Sequence, residues 1–269
     1  MIIRTNLYPE GRKKAITMSY DDAHPFDREL IPIFNTYGFK GTFHANSMHI
    51  GEGKNYTDAE ARELYKGHEI SVHTYSHPAL IDILPAELHD EVMRDKARLE
   101  EVFGYTVRGM SYPYGHFDNR IVDTVRFCGM KYARTTRSTG DFRLPEEFLT
   151  WHPTTHHNGD LYGLLERFME QRVDRVYNMP CFYIWGHSYE FDADHNNDLY
   201  KMEEFCKKAQ HLDSVWYATN IEIYDYVSAA RSLEISAERK YVFNPSRLSV
   251  WVTVNNDRVV EIKPGENAL

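Results

Sequence analysis

The stretch ITMSYDDAHPFD, residues 16–27, sets two adjacent carboxylates, Asp21 and Asp22, at the end of a strand-forming run, with His24 two residues on. Like charges side by side repel. A bound cation gripped by one carboxylate, while the other handles a proton, would account for the pair; a polar loop would account for it equally simply. A second stretch, SVHTYSHP (71–78), places His73 and His77 four residues apart. On a helix this spacing would put both imidazoles on one face, but Thr74 stands where a helical zinc-protease motif has its glutamate. The β-branched start and Pro78 predict strand followed by loop. Two histidines and one aspartate form a sensible facial set for a divalent metal, leaving positions open for water and substrate. Two capping or surface histidines are the plain alternative.

The elements that must position these residues alternate. Residues 14–20, 41–45, 68–74, 107–112, 131–136, 181–187 and 215–219 read as strands. Between them, 26–37, a short stretch after Thr57, 85–103, 118–128, 161–172, 199–210 and 221–231 carry apolar residues at helical spacing. Thr57 with Glu60 reads as a capping box, and Pro85 and Gly104 bracket a long helix. About seven βα units predict a parallel α/β sheet or barrel. In such folds chemistry gathers at the carboxyl ends of strands. Asp21, Asp22, His73, His77, the YPYG turn at 112–115 and His187 all fall there. From about 233 the sequence changes to short β-like segments, which predicts a barrel over 1–232 and a small antiparallel appendage over 233–269.

The 269 residues suffice for a large core. A net charge of -9 argues against nucleic acid or an anionic membrane as partner, since both reward clustered Lys and Arg. Fourteen histidines make metal or proton chemistry worth seeking. The three scattered cysteines, Cys128, Cys181 and Cys206, predict reduced thiols. No signal-like or membrane-spanning apolar run is visible, so a cytoplasmic protein is expected.

Taken together and in order, SYDDA, HTYSH, SYPYG and IWGH resemble the motifs of the NodB-homology polysaccharide deacetylases, a carbohydrate esterase family with a distorted (β/α)7 barrel. The resemblance implies a metal-dependent hydrolase removing acetyl groups from a sugar or oligosaccharide, N-acetyl before O-acetyl. It implies Asp22, His73 and His77 as ligands of zinc, or of cobalt, nickel or manganese. Asp21 would be the general base and His187 the acid. Pro113 and Tyr114 would line the oxyanion and substrate site, with the Tyr114 backbone N–H among its donors. The partner implied is a carbohydrate, and a homo-oligomer through the β appendage is compatible with it.

The chain departs from the family pattern at several places. Ala23 replaces the usual glycine after the aspartate pair. Ser111 stands where well-known members carry a base-orienting arginine, as it does in relatives with the YPYG form, and Arg108 and Arg134 are candidates for that task. The family's Asp-Trp motif has no clean match: Trp151 is the candidate aromatic, and Asp174 a candidate carboxylate. The neighbouring His156 and His157 read as surface or supporting residues, because adjacent side chains diverge. His24 and His44, near strand ends, either line or fill the cleft. EFDADHNND (190–198) lacks the glycine and closing glutamate of a calcium loop and reads as a solvated loop on the active face. Two other readings compete: a related C–N hydrolase acting on a non-sugar amide or imide, and a carbohydrate-binding relative without turnover.

Overall fold

The computed structural model describes residues 1–173, 178–191 and 199–269. Asp174 and most of the 190–198 loop therefore lie outside the described residues. The chain runs β1 (Ile3–Arg4), β2 (Lys14–Asp21), α1 (Asp27–Tyr37), β3 (Gly41–Ala45), α2 (Asp58–Leu64), β4 (Glu69–Val72), α3 (Pro85–Phe103), β5 (Gly109–Ser111), α4 (Asn119–Phe127) and β6 (Tyr132–Arg134). It continues with β7 (Thr155–His156), α5 (Leu161–Met169), β8 (Cys181–His187), α6 (Leu199–Ala209), β9 (Val215–Tyr217) and α7 (Asn220–Arg231). The tail holds β10 (Glu234–Ile235), β11 (Tyr241–Asn244), β12 (Val250–Val254), β13 (Arg258–Ile262) and β14 (Gly265–Ala268).

The main sheet has the order β6-β5-β4-β3-β2-β8-β7, with β9 also pairing β2, and its pairings are parallel. It curls into a distorted (β/α)7 barrel. Strand β2 is buried along its whole length and shows how the barrel divides its residues. Ile16, Met18 and Tyr20 join the apolar layer beneath the helices, where Tyr20 packs on Phe34 of α1. The alternate residues meet polar partners inside: Thr17 donates to Asn220 Oδ1, Ser19 contacts His44 Nε2, and Asp21 completes the row. This is the two-residue period of a strand with both faces covered.

The segment 151–157, which shows no clear periodicity, closes the barrel. The Trp151 N–H donates to Ala133 on one side, while Thr154 and His157 donate to Tyr183 and Trp185 on the other. Helix ends follow their local signals. Thr57 and Thr219 form capping boxes, Asp118 caps α4, and Gly38 and Gly104 close α1 and α3 in the left-handed conformation. Cys128, Cys181 and Cys206 are buried free thiols.

The tail builds two three-stranded sheets, β1-β12-β13 and β10-β11-β14. The first borrows a strand from the start of the chain, with Ile3 opposite Val254, so the β appendage is not confined to residues after 233. Val250, Val252, Val254 and Ile262 bury their side chains with Tyr8, Tyr226 and Val227. Among the described residues no helix is long and apolar enough to cross a membrane.

Candidate active site

Strand register delivers the polar residues to one rim. Asp21 is the register partner of His187 on β8 and of His44 on β3, while Ser111 of β5 is level with Arg134 of β6. Just beyond Asp21 the backbone turns left-handed at Asp22 (φ 78°) and Ala23 (φ 48°). Thr74 (φ 65°), His77 (φ 59°) and Tyr114 (φ 60°) adopt the same region in the neighbouring loops. Non-glycine residues in this region carry strain, and such strain concentrates at functional sites. At Asp22 it separates two carboxylates that the sequence makes neighbours.

Asp22 Oδ1 lies 3.5 Å from His73 Nε2 and 3.9 Å from His77 Nε2. Asp21 turns inward instead, where it is ion-paired with the fully buried Arg134 and accepts a hydrogen bond from Ser111 Oγ at 3.1 Å. Burial alone would push the Asp21 carboxyl up. The Arg134 guanidinium, with His73, His44 and His187, outweighs burial and holds it well below the usual carboxylate range. His187 Nε2 stands 3.9 Å from Asp21 Oδ2. Burial lowers the His187 pKa, but Glu190, Asp21 and Asp22 more than offset it, so the imidazole holds its proton more tightly than a free histidine.

The Asp22–His73–His77 group fits a divalent cation by the placement of its protons. His73 Nδ1 lies 2.7 Å from Ser111 Oγ and 3.1 Å from the Ser111 carbonyl, an acceptor only. A proton on Nδ1 leaves the Nε2 lone pair facing Asp22, as a ligating imidazole requires. Helix α3 braces the loop from behind. Asp95 accepts the His73 N–H at 3.0 Å, and Glu91 accepts from the Ser76 N–H and hydroxyl at 2.8 and 2.7 Å. Burial raises the Asp95 carboxyl to about 7. Asn46 Nδ2 donates to the carbonyls of His73 and Thr74.

Of the two arginine candidates, Arg134 reaches Asp21. Arg108 pairs with Asp225 of α7 through bonds of 2.9 and 2.7 Å and is not part of this cluster. Trp151 also lies elsewhere. It is only 2% exposed, packed among Tyr132, Phe148 and Tyr183, and so is closed to a substrate. The indole beside the cluster is Trp185, itself buried, stacked over Arg134 and packed against His156 and His187. Tyr114 is exposed beside His77, next to Pro113 in the same short turn. His44 is fully buried beneath Asp21 and fills the interior, while His24 packs against Tyr189.

His156 and His157 do not diverge. Both present Nε2 to Glu190 Oε2, at 3.0 and 3.1 Å, and His187 Nδ1 lies 3.5 Å from the same oxygen. His157 fits only because residue 186 is glycine, since a Cβ there would collide with the imidazole. Alternation along β7 does not extend past His156, so the usual divergence of neighbours fails at the strand end. Glu190 carried one sequence signal, its three-residue spacing from His187, and it lies in the short helical turn Ser188–Phe191 that follows β8.

Residues 9–133 match the family model described as polysaccharide deacetylase. The chain is 28% identical over 123 residues to a probable peptidoglycan-N-acetylglucosamine deacetylase of Arthroderma benhamiae, covering 45% of this chain and 28% of that protein. Its fold is similar to a putative polysaccharide deacetylase from Mycobacterium smegmatis, with TM-score 0.61, 17% identity, and coverage of 83% and 93% of the two chains. It is also similar to a family 4 acetyl xylan esterase from Clostridium thermocellum in complex with a cobalt ion, with TM-score 0.52, 15% identity, and coverage of 78% and 90%. The match spans less than half the length of the first curated relatives, at 28%, 45% and 22%. With its motifs in family order, this chain matches the polysaccharide deacetylase family over residues 9–133.

Proposed function

We propose that the protein is a metal-dependent hydrolase that releases acetate from an N-acetylated sugar or oligosaccharide. The observation that carries this reading is the division of labour between adjacent residues: Asp22 faces two imidazoles, while Asp21 faces an arginine and a serine. The names of the relatives supply the substrate class, and the cobalt in one of them agrees with a cation site. A divalent cation held by Asp22, His73 and His77, zinc being the first choice for two nitrogens and an oxygen, would supply Lewis acidity to the attacking water and the acetyl carbonyl.

The chain's own residues do the remaining work. Asp21, kept ionised by Arg134, accepts the proton of the attacking water at its carboxylate. The backbone N–H of Tyr114 donates to the oxygen on which negative charge develops. His187, facing the same space, gives its Nε2 proton to the leaving nitrogen. Water and amide thus become acetate and a free amine.

The test is acetate release from N-acetylglucosamine monomers and oligomers, acetylated xylan and simple acetyl esters, with zinc or cobalt, beside Asp21→Asn. Release that disappears in the variant supports the reading. Turnover of cyclic imides or simple amides, with no acetate from any sugar, replaces it with the non-sugar C–N hydrolase.

A further inference from the structure

We infer that Glu190 is a positioning residue for His187, holding the Nδ1 side of that imidazole so that Nε2 faces Asp21 and the substrate, and that His156 and His157 hold Glu190 in turn. The inference rests on the deacetylase reading only for the identity of the proton acceptor. Four nitrogens gather around one oxygen, and the backbone N–H of His187 makes a hydrogen bond to it. The backbone N–H of His187 donates to Glu190 Oε2 at 3.2 Å, and His156 Nε2, His157 Nε2 and His187 Nδ1 lie 3.0, 3.1 and 3.5 Å from it. The last separation leaves His187 Nδ1 short of a hydrogen bond, as contacts at catalytic histidines often are before substrate binds. On the other side of the ring, Nε2 faces Asp21 Oδ2 at 3.9 Å.

The same residues have the composition of a second metal site, two histidines and a glutamate. Proton placement argues against it. The N–H of Asn158 donates to His156 Nδ1 at 3.3 Å, so in the neutral ring the proton sits on Nε2, the nitrogen aimed at Glu190. A nitrogen carrying a proton donates a hydrogen bond and cannot ligate a cation. His157, with its side chain fully enclosed, has no hydrogen-bond partner at either ring nitrogen among the described residues, so nothing there fixes the tautomer a ligand needs. The cluster is therefore a carboxylate ringed by imidazole nitrogens at 3.0–3.5 Å. Its remaining neighbour is the imidazole whose orientation the reaction needs. Among the described residues, the titratable groups facing His187 are Glu190, Asp21, Asp22, His156, His157 and Tyr189.

The experiment is long-range proton–nitrogen NMR on the 15N-histidine-labelled protein without metal, at a pH where His187 is neutral, with Glu190→Gln and Glu190→Ala beside it. The wild type is expected to carry the His187 proton on Nδ1, and both variants to shift it toward Nε2. A wild-type His187 protonated on Nε2 overturns the inference, and that measurement needs no variant to fold. Metal analysis supplies the second arm. All three proteins are expected to bind the same number of zinc equivalents, whereas a zinc lost with Glu190 makes the cluster a metal site and overturns the inference. With a turned-over substrate, kcat in Glu190→Gln should fall on the order of 10²-fold, with KM little changed. If no acetylated sugar is turned over, the deacetylase reading fails and the tautomer still decides the role of Glu190.

Discussion

Two clusters on the same rim of the barrel each contain two imidazoles and a carboxylate, and they differ in where their protons sit. In Asp22–His73–His77, the Nδ1 of His73 is satisfied by Ser111 and the lone pair of Nε2 faces the carboxylate. In His156–His157–Glu190, the Nδ1 of His156 accepts a backbone N–H and the protonated Nε2 faces the carboxylate. The first arrangement leaves a lone pair for a cation; in the second, the His156 nitrogen nearest the carboxylate is occupied by its own proton. Residue type and spacing cannot separate these two cases, because the tautomer is set by what touches the far side of each ring.

The largest expected effect breaks the first cluster. Chelation, or His73→Ala, should reduce acetate release to background, with added zinc restoring the chelated protein but not the variant. Asp21→Asn should lower kcat by roughly 10²- to 10⁴-fold, the range for losing a general base, while metal analysis finds zinc still bound. If Asp21→Asn also loses the metal, the division of labour between the two aspartates is wrong. Ser111→Ala removes the hydroxyl shared by His73 and Asp21, and titration should show zinc affinity falling by about 10–100-fold, the usual cost of losing such a partner.

Thermal unfolding separates the clusters more finely. Free zinc at about 100 times its Kd should stabilise the wild type by about 2.7 kcal/mol. Glu190→Gln should keep that gain and Asp22→Ala should lose it; halving of the gain in Glu190→Gln would make the clusters alike. The smallest effect is in pH. The imidazoles around Glu190 hold its carboxyl below the usual range, although burial opposes them. A depressed folded pKa contributes stability above the unfolded carboxylate pKa and loses it as pH falls. The raised pKa of His187 contributes stability below the unfolded histidine pKa and loses it as pH rises past the folded value. Unfolding curves of the metal-free protein should show both slopes, and Glu190→Gln should flatten both.

Much of the fold was legible because its signals are local. Apolar spacing marked the helices, β-branched runs marked the strands, and Thr57, Pro85 and Gly104 marked helix ends where the structure has them. The segment 151–157 was not legible, because it closes the barrel largely through backbone bonds to β6 and β8, which leave no side-chain period to read. The pairing of Ile3 with Val254 was hidden for a similar reason, since two residues of strand carry no periodicity.

The sequence alone determined which chemical groups the rim could hold, since the ends of parallel strands must come together and the aspartate pair, the histidine pair and His187 each lie at one. Only the tertiary structure decided which group meets which. It joined Arg134 to Asp21 and sent Arg108 to Asp225. It packed Trp151 away from Asp21 and Trp185 over Arg134, and it turned His156 and His157 onto one carboxylate. These choices depend on register and on left-handed turns at strand ends, where a rotation of a single residue redirects a side chain, and no periodicity in the sequence records such a rotation.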